Sequence, residues 1–166
     1  EKEHYTSKLE SFASYKEKFR KRAEDTLHQF KDHFFNGYNI LLNELKKTSN
    51  LEPFLINDEI FTCLNSFEKI RAFLDKGTSL YELFGYSDAT LATLYKTAYK
   101  IAEERRFQDG YDAYFFIVTI APHIRDAWLN IGYTLCQLGE HLTGVEAFGR
   151  AFELDPTNAD SYLASI

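Results

Sequence analysis

From Tyr5 to Leu45 the apolar side chains recur in steps of three, four or seven: Tyr5, Leu9, Phe12, Phe19, Ala23, Leu27, Phe30, Phe34, Tyr38, Leu41 and Leu45. That spacing lays one stripe along an amphipathic α-helix. Residues 1–50 therefore read as a long helical arm, either one helix or two broken near Asn36-Gly37. Most charges fall on the opposite face, where Glu17 and Lys21 have the i, i+4 offset that stabilises an exposed helix by about 0.2–0.5 kcal/mol. An aromatic stripe of this length needs cover, from the rest of the chain, from a second copy or from a client.

The polar run at 46–50 and Pro53 end the arm, and Asn57 or Asp58 can cap the next helix. Its stripe is Ile60, Phe61, Leu64, Phe67, Ile70, Phe73 and Leu74, with Gly77 placed as a left-handed terminator. Ser79 and Glu82 have the offset of a capping box at the start of a short helix over 80–84, which Gly85 closes. Residues 51–86 are thus a helix plus a short linking helix, and Ser87 caps whatever follows.

From Ser87 onward the sequence repeats with a period of 34, as segments 91–124 and 125–158. Position 4 holds Leu94 and Trp128, position 8 Ala98 and Gly132, position 20 Gly110 and Gly144, position 24 Tyr114 and Phe148, position 27 Ile117 and Ala151, and position 32 Pro122 and Pro156. Gly or Ala at positions 8 and 20 lets two antiparallel helices approach closely, large residues at 4 and 24 fill the space between hairpins, and Pro at 32 ends the second helix of each repeat. Trp128-Leu129-Asn130-Ile131-Gly132 with Ala147-Phe148 and Asp155-Pro156 resembles the tetratricopeptide (TPR) repeat. The fold expected is all-α, a TPR-type α-solenoid over 87–166 preceded by a long N-terminal helical region. A third repeat would start at Ala159, with Tyr162 at its position 4. Solenoid ends need a polar cap, so this fragment either lies on the second repeat as a stub or, as is the expectation here, is continued by further repeats past Ile166; the lack of any Met likewise suggests a piece of a longer protein.

In TPR proteins the first helix of each repeat lines the concave face. That assigns Ala92, Tyr95, Lys96, Tyr99, Ala102 and Glu103 from the first repeat, and Asp126, Leu129, Asn130, Tyr133, Cys136 and Gln137 from the second. A groove with three tyrosines, small residues and few charges suits an extended peptide offering apolar anchors and backbone hydrogen bonds. Alternatively, the arm itself packs onto the tyrosines. TPRs that grip acidic chaperone tails carry Lys and Asn where Tyr95 and Tyr99 stand, so that ligand is disfavoured.

The run Leu83-Phe84-Gly85-Tyr86-Ser87-Asp88, then Leu91, Leu94-Tyr95, Ala98-Tyr99, Arg106-Phe107, Ala113, Phe116, Pro122, Trp128, Gly132, Gln137 and Gly139, resembles the translocator chaperones of bacterial type III secretion, the LcrH/SycD type. The resemblance spans residues 80–166. It implies a cytoplasmic bacterial chaperone that clasps an extended segment of a secreted translocator or effector, with Tyr95, Tyr99, Tyr133 and Gln137 as contacts. The other reading is an assembly scaffold that forms a homodimer through its N-terminal arm.

Charge and composition narrow the classes. Net charge is +2 over residues 1–50, −3 over 51–86 and −5 over 87–166, which gives no field for nucleic acid. The basic run Lys16, Lys18, Arg20, Lys21, Arg22 is broken by Glu17 and followed by Glu24 and Asp25, as on a solvated helix face. Cys63 and Cys136 have no metal-like spacing, and the histidines (His4, His28, His33, His123, His141) form none either. With no phosphate loop or nucleophile elbow, no cofactor, metal or catalytic activity is expected. Glu103-Glu104-Arg105-Arg106 reads as a solvated turn. No segment has the apolar length of a membrane span, and the thiols suggest a reducing cytoplasm.

Overall fold

The computed structural model describes residues 2–48 and 79–156, and each regular element among them is helical. The chain is all-α, with α1 (Lys2–Lys46), α2 (Leu80–Leu83), α3 (Asp88–Glu103), α4 (Phe107–Ile120), α5 (Arg125–Gln137) and α6 (His141–Leu154). The helix predicted over 60–74 with its caps, Cys63, and the repeat predicted from Ala159 lie outside the described residues. The chain divides into two compact units, Glu1–His33 and Phe34–Ile166.

In the first unit, Glu17 pairs with Arg20 at 2.8 Å and Arg20 also reaches Glu24 at 3.8 Å, in place of the anticipated Glu17–Lys21 pair. These side chains are all more than half exposed, and Lys18, Lys21 and Arg22 are exposed as well, so the described part of the basic run is a solvated face. Leu27 and Phe30 belong to the predicted stripe, yet they are 54% and 42% exposed.

The second unit takes in the last turns of the predicted arm. Phe34, Tyr38, Leu41 and Leu45 are buried in its core. Phe116 of α4 holds the rings of Phe34 and Tyr38 at centroid distances of 5.0 and 5.8 Å. The helix is not broken at Asn36-Gly37. Gly37 instead lies bare against the Asp112 carbonyl and Phe116 Cβ, where any side chain would collide with backbone. The glycine is a point of close helix approach, and the intrahelical ladder carries through it.

Helix termini follow the sequence closely. At α2 the backbone N–H of Ser79 donates to the Glu82 carboxylate at 3.0 Å. Gly85, at φ +69°, then allows Tyr86 N–H to reach Tyr81 O at 2.9 Å and close a Schellman motif. Ser87 Oγ accepts from Thr90 N–H at 3.2 Å and caps α3. Ala121 and Asp155, the residues before Pro122 and Pro156, leave the helical region (φ −137° and −148°) and end α4 and α6.

From α3 onward each helix packs on the next, and α3 also touches α5. Small residues set these approaches. A Cβ on Gly110 would lie 3.3 Å from Ala102 Cβ and 3.5 Å from Thr134 Cγ2. On Gly144 it would lie 2.9 Å from Cys136 Sγ, and on Gly132 2.5 Å from the Phe148 ring. Ala98, Ala113, Tyr114, Phe116, Ile117 and Ala127 are shut from solvent around these contacts, in one core with the end of α1.

Candidate functional site

The residues assigned to the groove come from α3 and α5, and a hydrogen bond joins the two helices on that face: Asn130 Nδ2 donates to Tyr95 Oη at 2.8 Å and to Asp126 O at 2.9 Å. The Tyr95 ring also meets the buried Tyr114 ring edge-on at 5.8 Å. Tyr95 is therefore held from two directions and is half-buried. Burial raises the Tyr114 phenol well above its usual range, and its hydroxyl has no hydrogen-bond partner among the described residues.

Tyr99 and Tyr133 are the exposed pair. They occupy the same position of the 34-residue period, one on α3 and one on α5, and are 47% and 49% exposed. The Glu103 carboxylate, by its charge first and then by its hydrogen bond with the phenol, raises the Tyr99 pKa. Tyr133 has Phe107 edge-on at 6.2 Å. Ala92, Lys96, Asp126 and Gln137 are exposed around this pair, and Leu129 and Asn130 are half-buried.

Two assigned residues do other work. Ala102 is buried against Gly110 of α4, where its small side chain sets the α3–α4 spacing, and it presents nothing to a guest. Cys136 is half-buried with its sulfur turned toward Gly144 of α6. Both were assigned by position in the repeat, and both lie where the helix face turns inward.

The end of α1 lies along a different face of α3. Tyr38, Leu41, Leu42 and Leu45 share a cleft with Leu94 and Tyr86, and Glu44, Leu45 and Thr48 share another with Thr97, Lys100 and Ile101. The residues of α1 in these clefts leave Tyr99 and Tyr133 open to solvent.

In the turn between α3 and α4, Glu103, Glu104 and Arg105 are exposed as expected of a solvated turn, while Arg106 is half-buried and ion-paired. Arg106 Nη1 donates to Glu44 of α1 at 2.7 Å, and Arg106 Nε donates to Asp109 at 2.9 Å. Glu44 also pairs with Lys47 at 2.8 Å. The Lys47 hydrogen bond first, then that of Arg106, holds the Glu44 carboxyl below its ordinary value. Sequence reasoning missed this cluster, because Glu44 and Arg106 are 62 residues apart and no local pattern relates them. Arg105 was missed as well: it adopts φ +61° and ends α3, as Gly139 at φ +85° ends α5. The period of 34 aligns the two and was the signal available.

No protein family, curated protein or solved structure matches the chain. Among the described residues no group of three or more His, Cys, Asp or Glu could hold a metal ion. No helix among them is long and apolar enough to cross a membrane.

Proposed function

We propose that the chain is a TPR-type helical-repeat protein that holds an extended segment of another polypeptide against α3 and α5. The observation that carries this reading is the pair Tyr99 and Tyr133, equivalent in the repeat, on touching helices, and each about half exposed. Exposed tyrosines set on a rigid helical frame offer contact area at little rotamer cost and keep a hydroxyl for a guest backbone. The repeat reading is supported by recurrence at the level of geometry. Left-handed residues fall at 105 and 139, close-packed glycines at 110 and 144, and helix-ending prolines at 122 and 156.

The guest we propose is a segment of a secreted translocator, on the strength of the resemblance carried by residues 83–88 and the repeat positions that follow. Overlapping peptides from such proteins, titrated against the chain, provide the test. The double substitution Tyr99→Ala/Tyr133→Ala should weaken capture at least tenfold, roughly the loss of one buried ring. It should leave the thermal midpoint nearly unchanged, because both side chains are half exposed. Capture that ignores the double substitution removes the face from the reading.

The scaffold reading keeps one observation of its own, the exposure of Leu27 and Phe30 on α1. It predicts that Leu27→Glu/Phe30→Glu lowers the mass seen by light scattering.

A further inference from the structure

Tyr99 and Tyr133 each stand one turn before the end of their helix, α3 at Glu103 and α5 at Gln137, so the carbonyl ends of two helices lie beside the exposed pair. Such ends carry partial negative charge and favour a cation. Glu103 adds a full charge. It is exposed, hydrogen-bonded with the Tyr99 phenol, and in no ion pair with a Lys or Arg among the described residues. The cations near it in sequence do not answer it. Lys100 lines the cleft against the end of α1, and Arg106 pairs with Glu44, Glu104 and Asp109. Arg105 is exposed past the helix end, and Lys96 stands about 10 Å back along the axis of α3.

An independent observation points to a ligand at the same place. Tyr114 of α4 is shut from solvent, and its hydroxyl has no hydrogen-bond partner among the described residues. The groups that act on this phenol electrostatically are Tyr95, Tyr99 and Glu103, all from α3, so its oxygen lies on the groove side of the hairpin. A buried hydroxyl left without a partner is costly to the fold.

We propose that this end of the groove receives a lysine side chain of the guest, its ammonium against the rings of Tyr99 and Tyr133, its charge on Glu103 and one N–H donated to the Tyr114 oxygen. Tyr99, the most exposed of the phenols on α3 and α4, swings aside to uncover that oxygen. The inference rests on the peptide-holding reading above and adds the chemistry of one guest residue. An ammonium has three donors that can diverge to oxygens on separate side chains, and the faces of phenol rings attract it. A guanidinium is planar and is matched by a coplanar carboxylate fork, which Glu103, engaged with Tyr99, does not offer. An apolar side chain covers the rings but leaves Glu103 and Tyr114 unanswered. The net charge of −5 over residues 87–166 draws the same kind of segment.

Pools of random peptides about twelve residues long, alike except for a central lysine, arginine, norleucine or glutamate, test this by capture on the immobilised full chain. Norleucine is the lysine side chain without its ammonium. The lysine pool should be retained about fivefold over the norleucine pool, with arginine between them and glutamate last. Glu103→Gln and Tyr114→Phe should each reduce that preference to about twofold or less, with norleucine capture and the thermal midpoint not lowered, since one side chain is exposed and the other loses only an unbonded hydroxyl. Glu104→Gln, one residue on and paired with Arg106, should keep the preference. Equal capture of the lysine and norleucine pools overturns this proposal and leaves the peptide-holding reading standing, whereas no capture of any pool overturns both. An arginine pool held above the lysine pool, or a preference that survives Glu103→Gln or Tyr114→Phe in full, also overturns it, because the acidity of the repeats at large is then the cause.

Discussion

Arg105 and Gly139 occupy the same structural position with different residues. Both follow the C-cap of a helix, both are left-handed, and both donate back to a carbonyl of the last turn: Arg105 N–H to Ala102 O at 3.0 Å and Gly139 N–H to Cys136 O at 3.1 Å. For an L-residue with a side chain this conformation costs about 1–2 kcal/mol, which glycine avoids. Arg105→Gly should therefore stabilise the chain by about 0.5–1 kcal/mol, once the larger unfolded-state entropy of glycine is subtracted. Gly139→Ala should destabilise it by about 1 kcal/mol. No atom lies within 4 Å of a Cβ at Gly139, so the second effect is conformational and free of clash. Urea midpoints of the two variants check both signs. Gly37 is the opposite case: its backbone is helical, yet a Cβ there runs into the Asp112 carbonyl. Gly37→Ala should cost roughly 3 kcal/mol or more despite the higher helix propensity of alanine. The sequence marked Gly37 as a possible break, because glycine signals flexibility and close approach by the same letter.

Elements were more legible than their partners. Caps at Ser87, Gly85 and Glu82 and the stops at Pro122 and Pro156 were readable because each acts within a few residues of its own position. The α1 stripe was also readable, but which part of it would be covered was not. Periodicity gives the face of a helix and is silent about the surface that meets it. The docking of its last turns rests on one polar cluster as well as on rings. Glu44, whose side chain is 18% exposed, lies between Lys47 and Arg106. Its folded pKa is lowered, so its contribution is present above the ordinary value of 4.5 and is lost as pH falls through the folded value. Glu44→Gln should destabilise the chain by about 0.5–1 kcal/mol near neutral pH, a figure kept small because Arg106 is itself partly solvated. The gap between variant and parent should close as pH is taken from neutral to below the folded value of Glu44. Denaturant midpoints at the two pH values measure it. A gap that persists in acid would mean that Glu44 acts by packing and not by charge.

At the scale of the molecule, the organisation read from sequence placed the arm at 1–50 and the repeats from 87, whereas the compact unit begins at Phe34. The hydrophobic stripe runs without interruption through residue 34, so nothing local announces that the helix changes from an exposed environment to a buried one. Tertiary cover decides it, through Phe116, Leu94 and the bare backbone at Gly37. The consequence is a sharp dependence on where the chain is cut. A chain beginning at residue 31 keeps Phe34, Tyr38, Leu41 and Leu45, all 7% exposed or less, and should unfold cooperatively with a thermal midpoint within a few degrees of the parent. A chain beginning at residue 48 lacks all four. Burial of each such side chain stabilises by about 1.5–3 kcal/mol, so their joint loss is roughly 6–12 kcal/mol. That is as large as the whole stability of an ordinary domain, about 5–15 kcal/mol. The shorter chain should lose its cooperative transition and bind a hydrophobic dye, with α3 and α4 stripped of cover at Leu94 and Phe116. Calorimetry on the two truncated chains checks the pair of outcomes. A cooperative transition surviving in the chain that starts at 48 would show that the helices from α3 onward carry their own core, and that the end of α1 is only an addition to it.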